Sequence, residues 1–278
     1  MRAIGYDARM PAPSDRHIHK KHFGQHFLHD AGILRQIVQA IGPQPGDRVV
    51  EIGPGDGALT RPLAQRAARV VAVEIDPLRA RSLARELDGG RVAVLQGDAL
   101  SRPLREWLAE GGVAGDAVLV ANLPYNAATP IVQAAVEEPA IRRCVVTVQK
   151  EVARRLVARP GDDAYGYLSV RTAARAVGRI LFDLPPGAFR PPPKVTSSVV
   201  ALEPRPDPLD PGARDAALRL ASLGFGVRRK TLANALSRVA PRERWEEALA
   251  AIGFDTRVRA ERLSLEDFLA LARATAGS

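Results

Sequence analysis

The chain has one cysteine, few aromatic residues and no histidine beyond residue 29. Each shortage excludes something. With Cys144 as the sole thiol, no intramolecular disulfide can form, and its apolar run Cys144-Val145-Val146-Thr147-Val148 suits a buried structural thiol better than a nucleophile. The five histidines (His17, His19, His22, His26 and His29) share one N-terminal stretch, so no Ser-His-Asp or Cys-His chemistry is expected around a central sheet. No cysteine or carboxylate cluster joins them, and Lys20 and Lys21 repel a cation, so no metal is expected. No apolar run approaches the length of a membrane span. Residues 1–19 mix Arg, Pro, Asp and Ser without an apolar centre, which reads as a disordered leader and not a signal peptide. A cytoplasmic protein without a membrane partner is the expectation.

Positive charge and core-forming residues are plentiful. Lys and Arg total 40 against 31 Asp and Glu, giving +9, and 46% of the 278 residues are hydrophobic. That sustains one large domain, or a medium one plus a small one. The charge favours a polyanionic partner, nucleic acid before membrane, although a soluble Arg-rich enzyme has the same balance.

The stretch Lys20 to Leu28 combines basic, aromatic and Gly residues suited to covering a ligand or contacting RNA. Asp30 then caps a helix with Ile33, Leu34, Ile37, Val38 and Ile41 on one face, stopped by Gly42. The strand Arg48–Ile52 leads into Gly53-Pro54-Gly55-Asp56-Gly57, with a helix opening at Ala58. Glycines let backbone pass close beneath a nucleoside, and a new helix offers free N–H groups. The next strand, Arg69–Val73, ends in Glu74, 21 residues after Gly53, where a carboxylate reaches the ribose hydroxyls of an adenosine cofactor. A helix from Leu78 to Leu87 and a strand Val92–Gln96 follow, with Asp98 at the strand end as an acceptor for an adenine amine or as a helix N-cap. The glycine loop alone fits both methyltransferases and nicotinamide enzymes. Pro54 tips it to the former, because it removes an N–H that a pyrophosphate would use.

The apolar run Ala117–Ala121 ends in Asn122-Leu123-Pro124-Tyr125. A plain loop would favour Gly, Ser or Asp there. This turn offers an amide, a proline-fixed backbone and an aromatic ring, a set that can hold a flat amine-bearing ring. Thr129 and Pro130 read as N-cap and first residue of a helix through Val136. The strand Arg142–Val148 runs into a basic helix with Arg154 and Arg155, followed by an amphipathic segment from Tyr167 to Ala174. Two β-like runs, Ile180–Phe182 and Ser197–Leu202, flank Phe189 and the stiff Pro191-Pro192-Pro193 connector, where Phe189 alone reads as a core residue. Glu203 to Pro208 has proline at alternate positions and divides a domain at 20–207 from one at 208–278. The latter reads as helices only: Ala213–Leu223, Lys230–Val239, Arg242–Ala251 and Ser264–Ala274. Arg228, Arg229 and Lys230 sit at a helix start, against the macrodipole, as phosphate contacts or a solvated charge cluster.

Several motifs then agree in order and spacing: Phe23-Gly24-Gln25-His26-Phe27-Leu28, Glu51-Ile52-Gly53-Pro54-Gly55, Asn122-Leu123-Pro124-Tyr125, Gln149-Lys150-Glu151-Val152 and the run from Phe189 to Ser197. Together they closely resemble the KsgA family of small-subunit (16S) ribosomal RNA adenine N6,N6-dimethyltransferases, over roughly residues 20–278. The resemblance implies an α/β fold, a Rossmann-like seven-stranded class I methyltransferase domain with a small all-helical C-terminal domain. It implies S-adenosylmethionine as methyl donor, S-adenosylhomocysteine as product, and two adjacent adenosines in the 3′-terminal hairpin loop of 16S rRNA as substrate. It assigns cofactor contacts to His26, Leu28, Gly53, Gly55, Glu74, Asp98, Ala99 and Asn122. His26 departs from the Asn common in the family. Asn122 and the Pro124 carbonyl would hold the amine, with Tyr125 and Phe189 sandwiching the base. Arg154, Arg155, Arg228, Arg229 and Lys230 are the candidates for RNA phosphates, in a protein expected to act as a monomer. A 23S rRNA resistance methyltransferase and a non-catalytic ribosome-assembly or transcription factor are the alternatives.

Overall fold

The computed structural model describes residues 26–87, 89–227 and 229–276. The leader and Arg228 lie outside them. The strand β1 (Phe27–Leu28) and the helix α1 (Ala31–Ile41) come first. Asp30 caps α1 by accepting from Gly32 N and Ile33 N, and Gly42 ends it at φ 59°. Strands and helices then alternate: β2 (Arg48–Ile52), α2 (Thr60–Ala64), β3 (Arg69–Glu74), α3 (Pro77–Leu87), β4 (Val92–Gln96), α4 (Leu104–Glu110), β5 (Ala117–Asn122), α5 (Ala128–Glu137), β6 (Ile141–Gln149) and α6 (Lys150–Val157). After α7 (Tyr167–Ala173) come β7 (Ala176–Leu184), β8 (Phe189–Arg190) and β9 (Ser197–Pro204). The remainder is helical: α8 (Pro211–Phe225), α9 (Leu232–Leu236), α10 (Arg242–Ala251) and α11 (Leu265–Ala276).

Seven strands form one sheet in the order β4-β3-β2-β5-β6-β9-β7, with only β9 running against the others, while β1 and β8 pair separately. The Val-rich strands are buried on both faces, so successive residues serve opposite layers. Val50, Ile52, Val71 and Val73 face one apolar cluster, and Val49, Val70, Val118 and Val120 face the other. A third cluster unites Leu220, Leu232, Trp245, Leu249 and Phe268 of the C-terminal helices, and Val170 of α7 packs into it. The helical unit therefore rests on the sheet domain through α7. β9 ends at Pro204 and α8 begins at Pro211, on either side of the proline-rich segment.

Local expectations shift in places. The helix after the glycine loop starts at Thr60 and not at Ala58, because Gly57 N donates to Pro54 O in a tight turn. Thr129 and Pro130 lie inside α5 and do not cap it, since Ala127 N donates to Pro124 O and Ile131 N to Ala127 O one turn earlier. The helix expected from Lys230 to Val239 is the single turn α9, and Arg229 and Lys230 precede it. So short a helix has little dipole to oppose, which removes that reason for reading the cations as functional.

Candidate active site

The order of strands reverses between β2 and β5, and the crevice outside their carboxyl ends is where an open α/β sheet takes ligands. The loop after β2 forms one wall. Gly53, Gly55 and Gly57 have φ of 68°, 57° and 78°, which side-chain-bearing residues rarely adopt. A Cβ on Gly55 would stand 3.1 Å from the Phe27 ring, so glycine there also admits the β1 strap. Arg79 covers the other side of that ring, 4.1 Å from its centroid, and is ion-paired to Asp56 of the loop.

Glu74 holds this wall together. It is 1% exposed, and its carboxylate accepts from Gly55 N at 2.9 Å and from Asp76 N at 3.0 Å. Burial raises its pKa, against the pull of those two N–H groups. Each oxygen thus already has one partner in the chain, and Glu74 orders the glycine loop besides any contact with a ribose. Asp98 is exposed and accepts from Leu100 N, so it forms a turn and does not cap a helix. Ala99 is buried behind it, and Leu28 is buried in β1. Sequence reasoning passed over Ile75, Leu78 and Leu100, apolar side chains exposed at this same end of β3 and β4. Apolar surface beside a ribose-height carboxylate and a glycine loop fits an adenosine-bearing cofactor.

Across the crevice stands the end of β5. Asn122 Nδ2 donates to His26 O at 2.9 Å. A carbonyl can only accept, so the amide nitrogen must face it and Oδ1 must point the other way. Among the described residues Oδ1 has no hydrogen-bond partner. The Pro124 carbonyl is half used, accepting from Ala127 N at 3.0 Å. Tyr125 is partly buried, its hydroxyl 2.9 Å from Ser197 Oγ and its ring 5.3 Å from that of His26. Phe189 is 2% exposed and packs in the second apolar cluster with Leu28. Phe189 is thus packed in the core, whereas Tyr125 is only partly buried.

A family model for ribosomal RNA adenine dimethylase matches residues 16–276. The chain belongs to that family. The ribosomal RNA small subunit methyltransferase A of Thermosynechococcus vestitus is 44% identical, over 91% of this chain and 95% of its own length. The protein of the same name from Methylococcus capsulatus is 43% identical over 93% and 98%. Among solved structures, the 23S rRNA methyltransferase ErmE superposes with a TM-score of 0.70 at 29% identity, covering 90% of this chain and 99% of its own. A dimethyladenosine transferase from Plasmodium falciparum also gives 0.70, at 26% identity over 88% and 96%.

For a ribosomal RNA adenine dimethylase the surface cations matter as well. Arg154, Arg155, Arg229 and Lys230 are exposed, and among the described residues none has an ion-pair partner. Lys150, at the carboxyl end of β6, is instead paired to Asp183, which also accepts from Ser198 Oγ; these bonds hold the Asp183 carboxyl below its ordinary pKa. Among the described residues, no helix is long and apolar enough to cross a membrane.

Proposed function

We propose that this ribosomal RNA adenine dimethylase transfers methyl groups from S-adenosylmethionine to N6 of two adjacent adenosines in the 3′-terminal hairpin loop of 16S rRNA, giving N6-dimethyladenosine. The observation that carries the reading is the orientation of Asn122 at the end of β5, next to β2, with Nδ2 tied to the chain and Oδ1 without a partner among the described residues. The identity of 43–44% to small-subunit enzymes over more than nine-tenths of the chain supports the 16S substrate over 23S, whose structural neighbour is 29% identical.

The glycine loop, Glu74, Asp98 and the apolar Ile75, Leu78 and Leu100 would hold the cofactor, which when bound would supply an electrophilic methyl group on a sulfonium. Adenine N6 is a poor nucleophile because its lone pair is delocalised into the ring. Asn122 Oδ1 and the free lone pair of the Pro124 carbonyl accept its N–H groups and favour a pyramidal nitrogen. Tyr125 gives the extruded base a face to stack on, and Phe189 the second face once the base displaces it from the core. Nothing at the turn has to take a proton. A neutral amide is no base, and the methylated amine is acidic enough to lose its proton afterwards. Catalysis is then positioning and exclusion of water.

Incubation with labelled S-adenosylmethionine and small subunits lacking the modification tests this. Label at the paired adenosines of 16S rRNA is expected. Label on 23S rRNA, or on neither, overturns the reading.

A further inference from the structure

We infer that His26 is a positioning residue that sets both halves of the adenine site, its backbone aiming Asn122 and its side chain fixing the proline connector. The inference rests on the methyl-transfer reading above but concerns a different part of the machinery from the cofactor contact that the family resemblance implies. His26 carries three contacts in three directions. Its carbonyl oxygen takes Asn122 Nδ2 at 2.9 Å, which leaves Oδ1 without a partner among the described residues. Its Nδ1 lies 2.7 Å from Pro191 O, and since a carbonyl only accepts, Nδ1 carries the proton and donates. Its ring lies 5.3 Å from that of Tyr125, tilted by 34°.

The partners are 96 and 165 residues away in sequence, so one residue, through its backbone carbonyl and its side chain, staples two distant segments. The stapled segments are those that must act together: the turn holding the amine, and the connector that begins at Phe189 and reaches Ser197, the partner of the Tyr125 hydroxyl. The next residue, Phe27, lies on Gly55, and Leu28 pairs with Phe189. Three consecutive residues therefore touch the cofactor loop, the amine turn and the base clamp. An asparagine at this position can donate to Pro191 O in the same way; an alanine cannot, and since both keep the backbone carbonyl, the alanine acts on Asn122 only by freeing that backbone from the connector.

His26→Ala and His26→Asn are compared for turnover on small subunits, for S-adenosylhomocysteine affinity by calorimetry, and for the Asn122 side-chain amide signal. The chain has three asparagines, Asn122, Asn126 and Asn234, so protein labelled with 15N at asparagine alone resolves that signal, assigned by its loss in Asn122→Ala. His26→Ala is expected to lower kcat on the order of 10- to 100-fold, since a small misplacement of reacting groups costs up to about 100-fold. Its cofactor affinity should stay within about threefold and the Asn122 signal should move. His26→Asn should recover most of kcat and return the signal. The inference is overturned by unchanged kcat in His26→Ala, by cofactor affinity falling as far as activity, or by His26→Asn failing alongside alanine. If wild-type protein leaves 16S rRNA unlabelled, the functional reading fails, and the amide signal still decides whether His26 sets Asn122.

Discussion

The two strand ends that face each other across the crevice, Glu74 on β3 and Asn122 on β5, are built to opposite rules. At Glu74 each carboxylate oxygen is met by a backbone N–H and the side chain is buried. At Asn122 one half of the amide is met, and the other has no partner among the described residues. Buried polar groups are rarely left without a partner. A group with its partners in the chain shapes the wall; a half-used group at a ligand crevice has a place kept for the ligand. The two ends should accordingly fail differently when mutated.

Asn122→Ala gives the largest expected effect. Removing the acceptor should lower methyl transfer at least about 100-fold, the scale of losing one preorganised polar contact in a transition state. Urea midpoint and cofactor affinity should stay close to wild type, because the alanine leaves only one partly buried acceptor, His26 O, without its donor. A matching loss of stability would erase the distinction between the two ends.

A second carboxylate sharpens the closed side. Glu51 on β2 is 2% exposed, and neither its Oε2 nor the nearby Thr60 Oγ1 completes a hydrogen bond. Burial pushes its pKa up to about 7 against the pull of the Thr60 hydroxyl, with the Glu74 charge adding to the rise. The unfolded chain ionises this group near 4.5. Between about pH 4.5 and 7 the unfolded state loses the proton while the folded state keeps it, so stability falls as pH rises. Glu51→Gln in cofactor-free protein should be near-neutral at pH 4.5 and stabilising by about 2–3 kcal/mol at pH 8. A difference that stays flat with pH removes the buried proton from the account.

Glu74→Gln comes next. A glutamine offers one acceptor and one donor where the loop needs two acceptors, so either Gly55 N or Asp76 N faces another donor. The cost is about 1–3 kcal/mol of stability, measured by urea unfolding, with weaker cofactor binding as the loop loosens. Loss of turnover alone, with stability intact, would make Glu74 the same kind of group as Asn122.

The contrast between the two ends also explains what was legible in the sequence. Asn122, Tyr125 and Glu74 stood out because strand runs ending in unusual residues are local signals. The Val-rich strands and α1, with Asp30 before it and Gly42 after, were readable for the same reason. The short α4 was not expected, since seven residues after Pro103 leave too few turns for a periodic pattern. β7 is nine residues long where three were foreseen, because as the sheet's last strand it is largely uncovered and lacks a continuous apolar run. β1 and β8, two residues each, have no pattern at all and exist through pairing with one another. The burial of Phe189 and the two hydrogen bonds of His26 depend on partners from 96 to 165 positions away, information no local window contains.

The same distinction between used and unused groups extends to the surface and gives the smallest effect. Lys150 has its charge answered by Asp183, and Arg61 by Glu86. Arg229 and Lys230 lie exposed before α9 without such a partner among the described residues, on the helical unit that packs onto α7. Pairing within the chain competes with pairing to phosphate, so the unanswered cations are the ones expected to bind a polyanion and release its counterions. Each phosphate contact contributes about 0.7–0.9 to the slope of log affinity against log salt. Replacing Arg229 and Lys230 together by alanine should weaken small-subunit binding several-fold at moderate salt and flatten that slope by about 1.5, with kcat at saturating substrate unchanged. An unchanged slope would move the phosphate contacts to Arg154 and Arg155, next to the cleft, where neutralisation should flatten it instead.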